Sequence, residues 1–250
     1  MKKDDDLEVK AGVMTVIVPI YNEGPVLNET LLKIKEFLKK NKGYEFLFVD
    51  DGSTDSSSQL LKKFVENGSK VFLVSFRKNL GKGSAIKRGV KVASGEYIAF
   101  MDGDMAYPLS HLLLLRRELK KSDLVIGCRE LFKKNAENAR LSRLIVGRTG
   151  NLITRKLMGI HFKDTQAGLK GFRNDIAKDL FKKQYIKGFA FDVEIIYQAI
   201  KKNYKIKEIP VRLNKDHINK PTKVNVVSDS VKMMFSLLMI KTNYLLGKYG

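Results

Sequence analysis

An aspartate pair separated by one glycine follows an apolar run near the middle of the chain. The segment IAFMDGDM (98–105) places Asp102 and Asp104 directly after residues with the composition of a buried strand. Residues i and i+2 of an extended chain point to the same side, so both carboxylates can face one cation, and Gly103 allows a ligand to approach the backbone. Because the like charges repel each other, the sequence predicts a positive group between them, either a metal ion or a lysine. Carboxylates without a neighbouring His or Cys favour Mg²⁺ or Mn²⁺ as that metal.

The elements that position this pair alternate between strands and helices. Nearly continuous apolar runs predict strands at 13–20, 44–50, 70–76, 96–102 and 123–128. Such runs are typical of strands buried on both faces of a parallel sheet. Helices are predicted between them: one opened by Pro25, one over 54–68 with Asp55 as its N-cap, one over 83–94 and one after Pro108. This alternation predicts a doubly wound α/β sheet.

Two further polar clusters follow predicted strands. Asp50 and Asp51 end the second strand, and Pro19, Tyr21 and Glu23 stand at the end of the first. In such sheets ligands bind outside the carboxyl ends of the strands. Each cluster alone is also explained by a simple turn, since Asp, Asn, Gly and Ser are common turn residues. Their shared position favours one binding site at this edge.

The second half of the chain has a different character. The segment 139–162 mixes apolar residues with arginines, and DTQAGLKGFR (164–173) is predicted to be a polar, glycine-rich turn. A helix is predicted over 188–203, an edge strand over 204–213 that ends near Pro210, and an amphipathic helix from about Val226. The first and last of these segments have the composition of helices that lie in a membrane interface, although helices packed on the core have similar sequences.

The chain is strongly basic, with 47 Lys and Arg residues against 27 Asp and Glu and a net charge of +20. This balance predicts an anionic partner. A nucleic-acid-binding protein is disfavoured because no binding motif is recognisable and the acidic residues cluster at strand ends. An oxidoreductase is disfavoured because no G-x-G-x-x-G follows the first strand. Cys128 is the single cysteine, and neither a signal peptide nor a spanning helix is expected, so we predict an intracellular, soluble or surface-bound protein.

A series of motifs follows the order found in family-two, GT-A-fold glycosyltransferases. They are VIVPIYNE (16–23), FVDDGSTDSS (48–57), RKNLGKGSAIKRG (77–89), FMDGDM (100–105) and DTQAGLKGFR (164–173). The chain most resembles the polyprenyl (dolichyl) phosphate hexosyltransferases of that family, over about residues 13–225. The resemblance implies a Rossmann-like GT-A catalytic domain over 1–225, followed by an amphipathic helix over 226–250.

The resemblance also implies which residues hold a nucleotide-sugar donor. The base and ribose would be gripped by residues of the first two strand ends, namely Pro19, Tyr21, Glu23, Val49 and Asp51. Lys82, in a glycine-flanked loop, would lie near the nucleotide. The segment Asp102–Gly103–Asp104 would hold Mg²⁺ or Mn²⁺ on the diphosphate and neutralise charge as the nucleoside diphosphate leaves, which makes Asp104 a catalytic residue.

The acceptor of such enzymes is a lipid phosphate, which needs positive charge more than a general base. A phosphate monoester is already anionic near neutrality, because its second pKa is about 6. Arg129 matches a phosphate-side arginine of the family, and Arg143 and Lys223 are further candidates. Asp164 and Gln166 lie in the turn that the family places against the reacting sugar, and both are predicted catalytic residues. We expect them to position donor or acceptor, with Asp164 as a base only if the acceptor is a hydroxyl.

Departures from the mannosyl enzymes of the family favour UDP-glucose over GDP-mannose. Mannosyl enzymes usually have a polar side chain where this chain has Ala106, and an arginine where His217 or Asp216 falls. The segment GFAFDVEIIYQA (188–199) resembles a helix of the glucosyl branch. There Asp192 can cap the helix and Glu194 can face the sugar, although helix capping alone explains both acids equally well.

Two other functions remain alternatives: a GDP-mannose-using enzyme, and a hydroxyl-acceptor glycosyltransferase of polysaccharide or glycolipid synthesis. The basic amphipathic segments predict a protein bound peripherally to the cytoplasmic face of a membrane, through anionic headgroups or through a membrane-protein partner. The predicted partners are therefore a nucleotide sugar, a polyprenyl phosphate lipid and a membrane surface, and no nucleic acid.

Overall fold

The computed structural model describes residues 8–66, 68, 70–132, 151–214 and 226–250. The strands in this part of the chain are β1 Lys10–Ile20, β2 Tyr44–Asp50, β3 Val71–Ser75, β4 Gly95–Met101, β5 Leu124–Cys128, β6 Leu169–Arg173 and β7 Ile206–Pro210. The helices are α1 Gly24–Lys40, α2 Ser57–Glu66, α3 Lys82–Val92, α4 Ser110–Leu119, α5 151–158, α6 Asn174–Lys182, α7 Phe191–Lys201 and α8 Val226–Leu245. Each predicted strand of the first half is confirmed to within a few residues.

These strands form one 7-stranded sheet in the order β3-β2-β1-β4-β6-β5-β7. The neighbours pair in parallel except around β6, which runs antiparallel to both β4 and β5. Helices cover both faces of the sheet. The predicted α/β class with a mostly parallel sheet is therefore confirmed, and β7 is confirmed as an edge strand.

The apolar runs of the strands are explained by burial on both faces. In β2 the side chains of Phe46 and Phe48 pack with α1 and α2 on one face, while Leu47 and Val49 pack with α3 and α7 on the other. Successive side chains of a strand point to opposite faces, so a strand covered on both sides is apolar at most positions. This packing holds the carboxyl ends of the strands rigidly in place.

The predicted turn at 164–173 is wrong in its second half. Residues Leu169–Arg173 form β6, which lies between β4 and β5 in the interior of the sheet. Only the first half of the segment is a loop. Two basic residues in a short run hide the strand signal, because Lys170 is fully buried against an acid and Arg173 points out at the end of the strand.

The helix starts agree with the sequence signals. Pro25 lies in the first turn of α1, where a missing N–H costs nothing. Asp55 precedes α2, and its carboxylate accepts hydrogen bonds from the N–H of Ser57 at 2.9 Å and the N–H of Gly24 at 3.0 Å. Asp55 therefore caps one helix and ties it to the start of another, and these hydrogen bonds lower the pKa of its carboxyl despite the opposing effect of burial.

The last helix, α8, has one face against the core and one face in solvent. Leu237 and Ile240 are buried in the same apolar cluster as α7, whereas Phe235 and Leu238 are 69% and 55% exposed. The burial of Leu237 and Ile240 agrees with the core-packing interpretation of this segment, and the membrane-interface interpretation stays a prediction. Among the described residues, no helix is long and apolar enough to span a bilayer.

Candidate active site

The register of the parallel strands brings the polar clusters to one edge of the sheet. Ile20 at the end of β1 lies opposite Asp50 of β2, and Asp50 lies opposite Ser75 of β3. Phe100 of β4 pairs with Ile17 of β1, so the aspartate pair that follows β4 emerges beside the turn that follows β1. The prediction that these clusters share the carboxyl edge is confirmed.

Asn22 links the first two loops of this edge. Its side-chain oxygen accepts the N–H of Thr54 at 2.8 Å, and its own N–H donates to the hydroxyl of Ser53 at 3.1 Å. The backbone of Asn22 has a φ of 53°, in the left-handed region that asparagine tolerates better than most residues. The predicted site residue Glu23 follows directly, and its N–H donates to the Ser57 hydroxyl at 2.9 Å. Sequence analysis missed Asn22, although an asparagine between Tyr21 and Glu23 was a signal for such a turn.

Asp51 holds the loop that begins α3. Its two carboxylate oxygens accept the N–H groups of Leu80 at 2.8 Å and Gly81 at 2.9 Å. Burial raises the pKa of this carboxyl, while the two backbone hydrogen bonds act in the opposite direction. Asp51 thereby fixes the backbone immediately before Lys82. Gly52 makes this approach possible, because its φ is +72° and a Cβ there would lie 2.4 Å from the Lys78 backbone.

The remaining predicted donor residues of β1 and β2 differ in accessibility. Tyr21 is 43% exposed at the edge, and Pro19 is partly buried near the end of β1. Val49 is fully buried in the core, so only its backbone faces the direction of the strand ends. The donor-binding role of these residues stays a prediction.

The positive group that faces the aspartate pair is Lys82. Its ammonium lies 2.6 Å from the Oδ1 atom of Asp102, and the two side chains are 17% and 31% exposed. Burial lowers the pKa of Lys82, but the charges of Asp102, Asp192 and Asp104 outweigh it and the net pKa is raised. Lys82 is therefore a firmly charged cation, and the lysine alternative of the sequence analysis is realised in this structure.

The turn between the aspartates is fixed by backbone contacts. The Asp104 carboxylate accepts the N–H of Ala106 at 3.1 Å, and the carbonyl of Gly103 accepts the hydroxyl of Thr30 at 3.2 Å. Met105 has a φ of 55°, which is uncommon for a residue with a side chain, and its carbonyl accepts the side-chain amide of Asn214 at 2.6 Å. Such a strained residue directly after Asp104 is typical of a functional turn held by its surroundings.

The loop before β6 packs directly on the aspartate pair. A Cβ at Gly168 would lie 1.9 Å from the Oδ2 atom of Asp102, so a side chain there would have to displace the Asp102 carboxylate. The same loop carries Asp164, which forms a two-pronged ion pair with Arg129: Nε to Oδ2 at 2.7 Å and Nη2 to Oδ1 at 2.9 Å. The structure thus brings the fourth and fifth motifs together.

The Asp164–Arg129 pair is held in its ionised form. Asp164 is almost fully buried and also accepts the backbone N–H groups of Arg129 at 3.0 Å and Gln166 at 3.2 Å. Burial raises the pKa of Asp164, but Arg129 lowers it by more, so the net pKa is below its ordinary value. The guanidinium side chain is 42% exposed. Arg129 is therefore a fixed cation that reaches solvent at the site, and Asp164 orients it.

Tyr107 is a buried residue of the site that sequence analysis did not select. Its hydroxyl lies within the electrostatic influence of Arg129, Asp164 and Asp102 and takes part in a hydrogen bond with the Gly168 backbone. Burial raises the pKa of this hydroxyl far above its ordinary value. A tyrosine three residues after the second aspartate was the available signal, but an aromatic residue there is equally typical of core packing.

Two acids of α7 have partners that the sequence did not suggest. Asp192 pairs with the fully buried Lys170 at 2.6 Å, and no side chain caps α7. Burial lowers the pKa of Lys170, and the charge of Asp192 opposes that shift. Glu194 is fully buried and accepts the N–H groups of Tyr185 and Ile186, both at 2.9 Å. Asp192 therefore does not cap α7, and Glu194 is buried among backbone N–H groups of its own chain.

Several sequence predictions lie outside the described residues. They are the acceptor-phosphate candidates Arg143 and Lys223 and the donor-discriminating positions Asp216 and His217. They stay predictions from the sequence.

Asp102 and Asp104 fit a divalent metal ion that binds together with a phosphate-bearing ligand. The described part of the chain has no group of three or more His, Cys, Asp or Glu side chains that could hold an ion alone. Asp102 and Asp104 supply hard oxygen atoms, and Mg²⁺ is commonly bound by one or two carboxylates together with substrate phosphates. A diphosphate would supply the missing oxygen ligands.

This sheet, with an Asp-Gly-Asp turn at its carboxyl edge, is the GT-A fold of glycosyltransferases. Solved structures with this fold include glucosyl-3-phosphoglycerate synthase from Mycobacterium tuberculosis in complex with Mn²⁺, UDP and glucosyl-3-phosphoglycerate. It superposes with a TM-score of 0.65 at 17% identity over 91% of this chain and 79% of the other. The same enzyme in complex with UDP gives a TM-score of 0.66 at 18% identity.

The chain belongs to glycosyl transferase family 2, whose model matches residues 15–181. It is therefore a glycosyltransferase. It is 32% identical to a dolichyl-phosphate beta-glucosyltransferase of Trichomonas vaginalis over 94% of this chain and 74% of the relative. Enzymes with the same description from Dictyostelium discoideum and Saccharomyces cerevisiae are each 31% identical, over 94% and 98% of this chain and 75% and 78% of theirs. The predicted family, fold and enzyme class are confirmed.

Proposed function

We propose that this enzyme transfers glucose from UDP-glucose to dolichyl or another polyprenyl phosphate, with Mg²⁺ or Mn²⁺ as cofactor. The observation that carries the proposal is the pair of oppositely charged sites at one edge of the sheet. Asp102 and Asp104 offer carboxylates for a metal-bound diphosphate, and Arg129 offers a fixed guanidinium for a second phosphate. The names of the curated relatives support the acceptor and the sugar.

The donor diphosphate is proposed to lie over the aspartate pair. A divalent ion bound there would supply charge neutralisation as the nucleoside diphosphate leaves. Lys82 reaches the same place from the start of α3 and provides a second positive charge. Asp51 and Asn22 keep the surrounding loops in position through their backbone hydrogen bonds. UDP in the complexes of the solved structures supports a uridine nucleotide.

The acceptor phosphate is proposed to bind Arg129. A phosphate monoester is anionic near neutrality, so one of its oxygen atoms can attack the anomeric carbon without a general base. The new carbon–oxygen bond forms as the bond to the diphosphate breaks, and a single displacement of this kind inverts the configuration. Asp164 cannot readily act as a base while both of its oxygens bind Arg129 and its pKa is lowered. This geometry favours a phosphate acceptor over a hydroxyl.

The function is tested by pairing donors with acceptors. Radiolabelled UDP-glucose or GDP-mannose is incubated with dolichyl phosphate or with free saccharides, and the label is counted in the extracted lipid and in the saccharide fraction. We expect lipid label only from UDP-glucose with dolichyl phosphate. Titration calorimetry with Mn²⁺ present should show tighter binding of UDP than of GDP. Tighter GDP binding would overturn the donor, and transfer to saccharides alone would overturn the acceptor.

We also propose that the enzyme docks peripherally on the cytoplasmic face of a membrane, where a lipid acceptor is found. The C-terminal part of the chain exposes large apolar side chains: Phe235, Leu238, Leu245 and Leu246 are between 55% and 83% exposed. A basic groove of about 840 Å³ lies between α3 and α6. Its cationic lining residues are Lys87, Arg88, Lys91, Lys178, Lys182 and Lys187.

The apolar face and the basic groove are continuous. Lys248, just after Leu246, lies over the ring of Tyr185 at 5.8 Å, and Tyr185 lines the groove. Apolar side chains beside a cationic surface are the combination that binds anionic membranes. Leu152 and Ile153 of α5 are also about half exposed.

Membrane docking is tested by sedimentation with phosphatidylserine-containing liposomes. The protein should sediment with them at low salt and be released at about 1 M salt, where charges are screened beyond about 3 Å. Leu245→Glu should weaken binding at least about tenfold, because one buried leucine contributes roughly 1.5–3 kcal/mol. Leu32→Glu is the matched control, because Leu32 is 63% exposed on α1, on the other face of the sheet. No sedimentation at low salt, or equal loss in both variants, would contradict the proposal.

A further inference from the structure

The carboxylate that is expected to bind a divalent ion already carries a cation from its own chain. Lys82 Nζ lies 2.6 Å from Asp102 Oδ1, which is a short contact for an ion pair. The pair stands at the carboxyl edge of the sheet and is only partly shielded, with 17% and 31% of the side chains exposed. The contact is therefore strong, and it is also accessible to ions from solution.

The surroundings of Lys82 favour Asp102 as its partner. The neighbouring acid Asp192 is already neutralised by Lys170, which is fully buried and bonded at 2.6 Å. The ring of Phe191 lies below the ammonium at 5.9 Å and offers a weak cation–π contact but no charge. Asp51 fixes the backbone just before Lys82, so the side chain starts from a defined point.

A divalent ion and this ammonium compete for the negative charge of the Asp102 carboxylate. A metal ion would approach a carboxylate oxygen to about 2.1 Å, which places it next to a positive charge in a partly desolvated site. The repulsion between the two cations favours displacement of the ammonium. Its side chain is long, and the group with the greatest negative charge that arrives with the metal is the diphosphate of the donor.

We infer that Lys82 is the counter-cation of Asp102 and transfers to the donor's diphosphate when a divalent ion takes the carboxylate. Competition with Lys82 weakens binding of the metal alone. When metal and nucleotide bind together, the metal pairs with the Asp102 carboxylate and Lys82 pairs with the diphosphate. The enzyme therefore binds the two cooperatively. The second half of this inference rests on the proposed nucleoside diphosphate donor, but the competition between Lys82 and the metal does not.

The test measures metal and nucleotide binding separately. Free Mn²⁺ is followed by electron paramagnetic resonance in titrations of the wild type, Lys82→Met and Lys87→Met. Lys82→Met should bind Mn²⁺ alone about tenfold more tightly, and should bind UDP in saturating Mn²⁺ about tenfold more weakly. Lys87→Met is the matched control, because Lys87 lies on the same helix and donates to the carbonyls of Lys182 and Gln184. It should change neither affinity.

Opposite changes in the two affinities cannot arise from a general loss of structure. Equal or weaker binding of Mn²⁺ alone to Lys82→Met would overturn the inference. A different outcome is that Lys82→Met binds Mn²⁺ more tightly but the wild type does not bind UDP. That outcome would support the competition between Lys82 and the metal and would overturn the proposed donor.

A second measurement uses the wild-type protein and does not depend on a variant that folds. Trace acetylation of lysines, followed by mass spectrometry, reports how available each amine is. Mn²⁺ alone should increase acetylation of Lys82 relative to Lys87, and Mn²⁺ with UDP should reduce it again. Unchanged labelling of Lys82 with Mn²⁺ would count against its displacement.

Discussion

Replacing Asp104 with alanine should lower the rate of glycosyl transfer at least about 100-fold, while the protein keeps its fold. Removing one group that stabilises developing charge in a transition state commonly costs about 10²–10³ in rate. Asp104 stands in a loop after β4, outside the apolar core, and its carboxylate accepts the N–H of Ala106. The loss of that hydrogen bond costs only about 1 kcal/mol. Activity and thermal unfolding are measured on the same preparation.

Two comparisons make this prediction specific to the metal. Chelation by EDTA should abolish transfer by the wild type, and added Mg²⁺ or Mn²⁺ should restore it, whereas no metal should restore Asp104→Ala. Asp175→Ala serves as the control, because Asp175 is an exposed acid that pairs with Arg173 on the surface. It should be fully active. Full activity of the wild type after thorough chelation would show that the aspartate pair does not work through a metal.

The strands β1 to β5 were predictable because their sequence signal and their environment agree. The run YEFLFVD is apolar at most positions, and β2 is buried at every position. The site loops follow these strands, so the placement of Asp51 and Asp102 at one edge was predictable as well. No knowledge of side-chain contacts was needed for that step.

The strand β6 could not be predicted from the sequence, and the reason is physical. Lys170 is tolerated in the interior only because Asp192 and the Ala167 carbonyl satisfy its ammonium, and both partners are known only in the folded structure. The same limit applies to Lys82 and Asp102, which are neighbours in space but separated in the sequence. The environment of Glu194 was hidden in the same way, since its partners are two backbone N–H groups and the hydroxyl of the distant Tyr249.

Exchanging Arg129 for lysine should reduce kcat/KM for the lipid phosphate about 100-fold and leave UDP binding unchanged. Lysine keeps the positive charge, so the buried Asp164 is not left without a cation. It cannot reproduce the planar fork that holds Asp164 with two hydrogen bonds, so the cation is no longer fixed in one orientation. Arg173→Lys is the matched control, because Arg173 forms exposed ion pairs away from the site, and it should be as active as the wild type. Full activity of Arg129→Lys would remove Arg129 from the acceptor site.

Two measurements distinguish a positioning role of Asp164 from a role as general base: the activity of Asp164→Asn and the dependence of that activity on pH. Arg129 lowers the pKa of Asp164 below its ordinary value of about 3.9. The carboxylate is therefore ionised at every pH above about 3.9. The ion pair is lost only when the pH falls through the lowered pKa. If Asp164 only positions Arg129, Asp164→Asn should raise the KM for the lipid phosphate roughly tenfold. The pH profile of its activity should match that of the wild type between about pH 6 and 9. A general base would need a pKa near the working pH, and its loss would remove the acidic limb of the profile and lower kcat. That second result would assign the proton transfer to Asp164 and favour a hydroxyl acceptor over a phosphate.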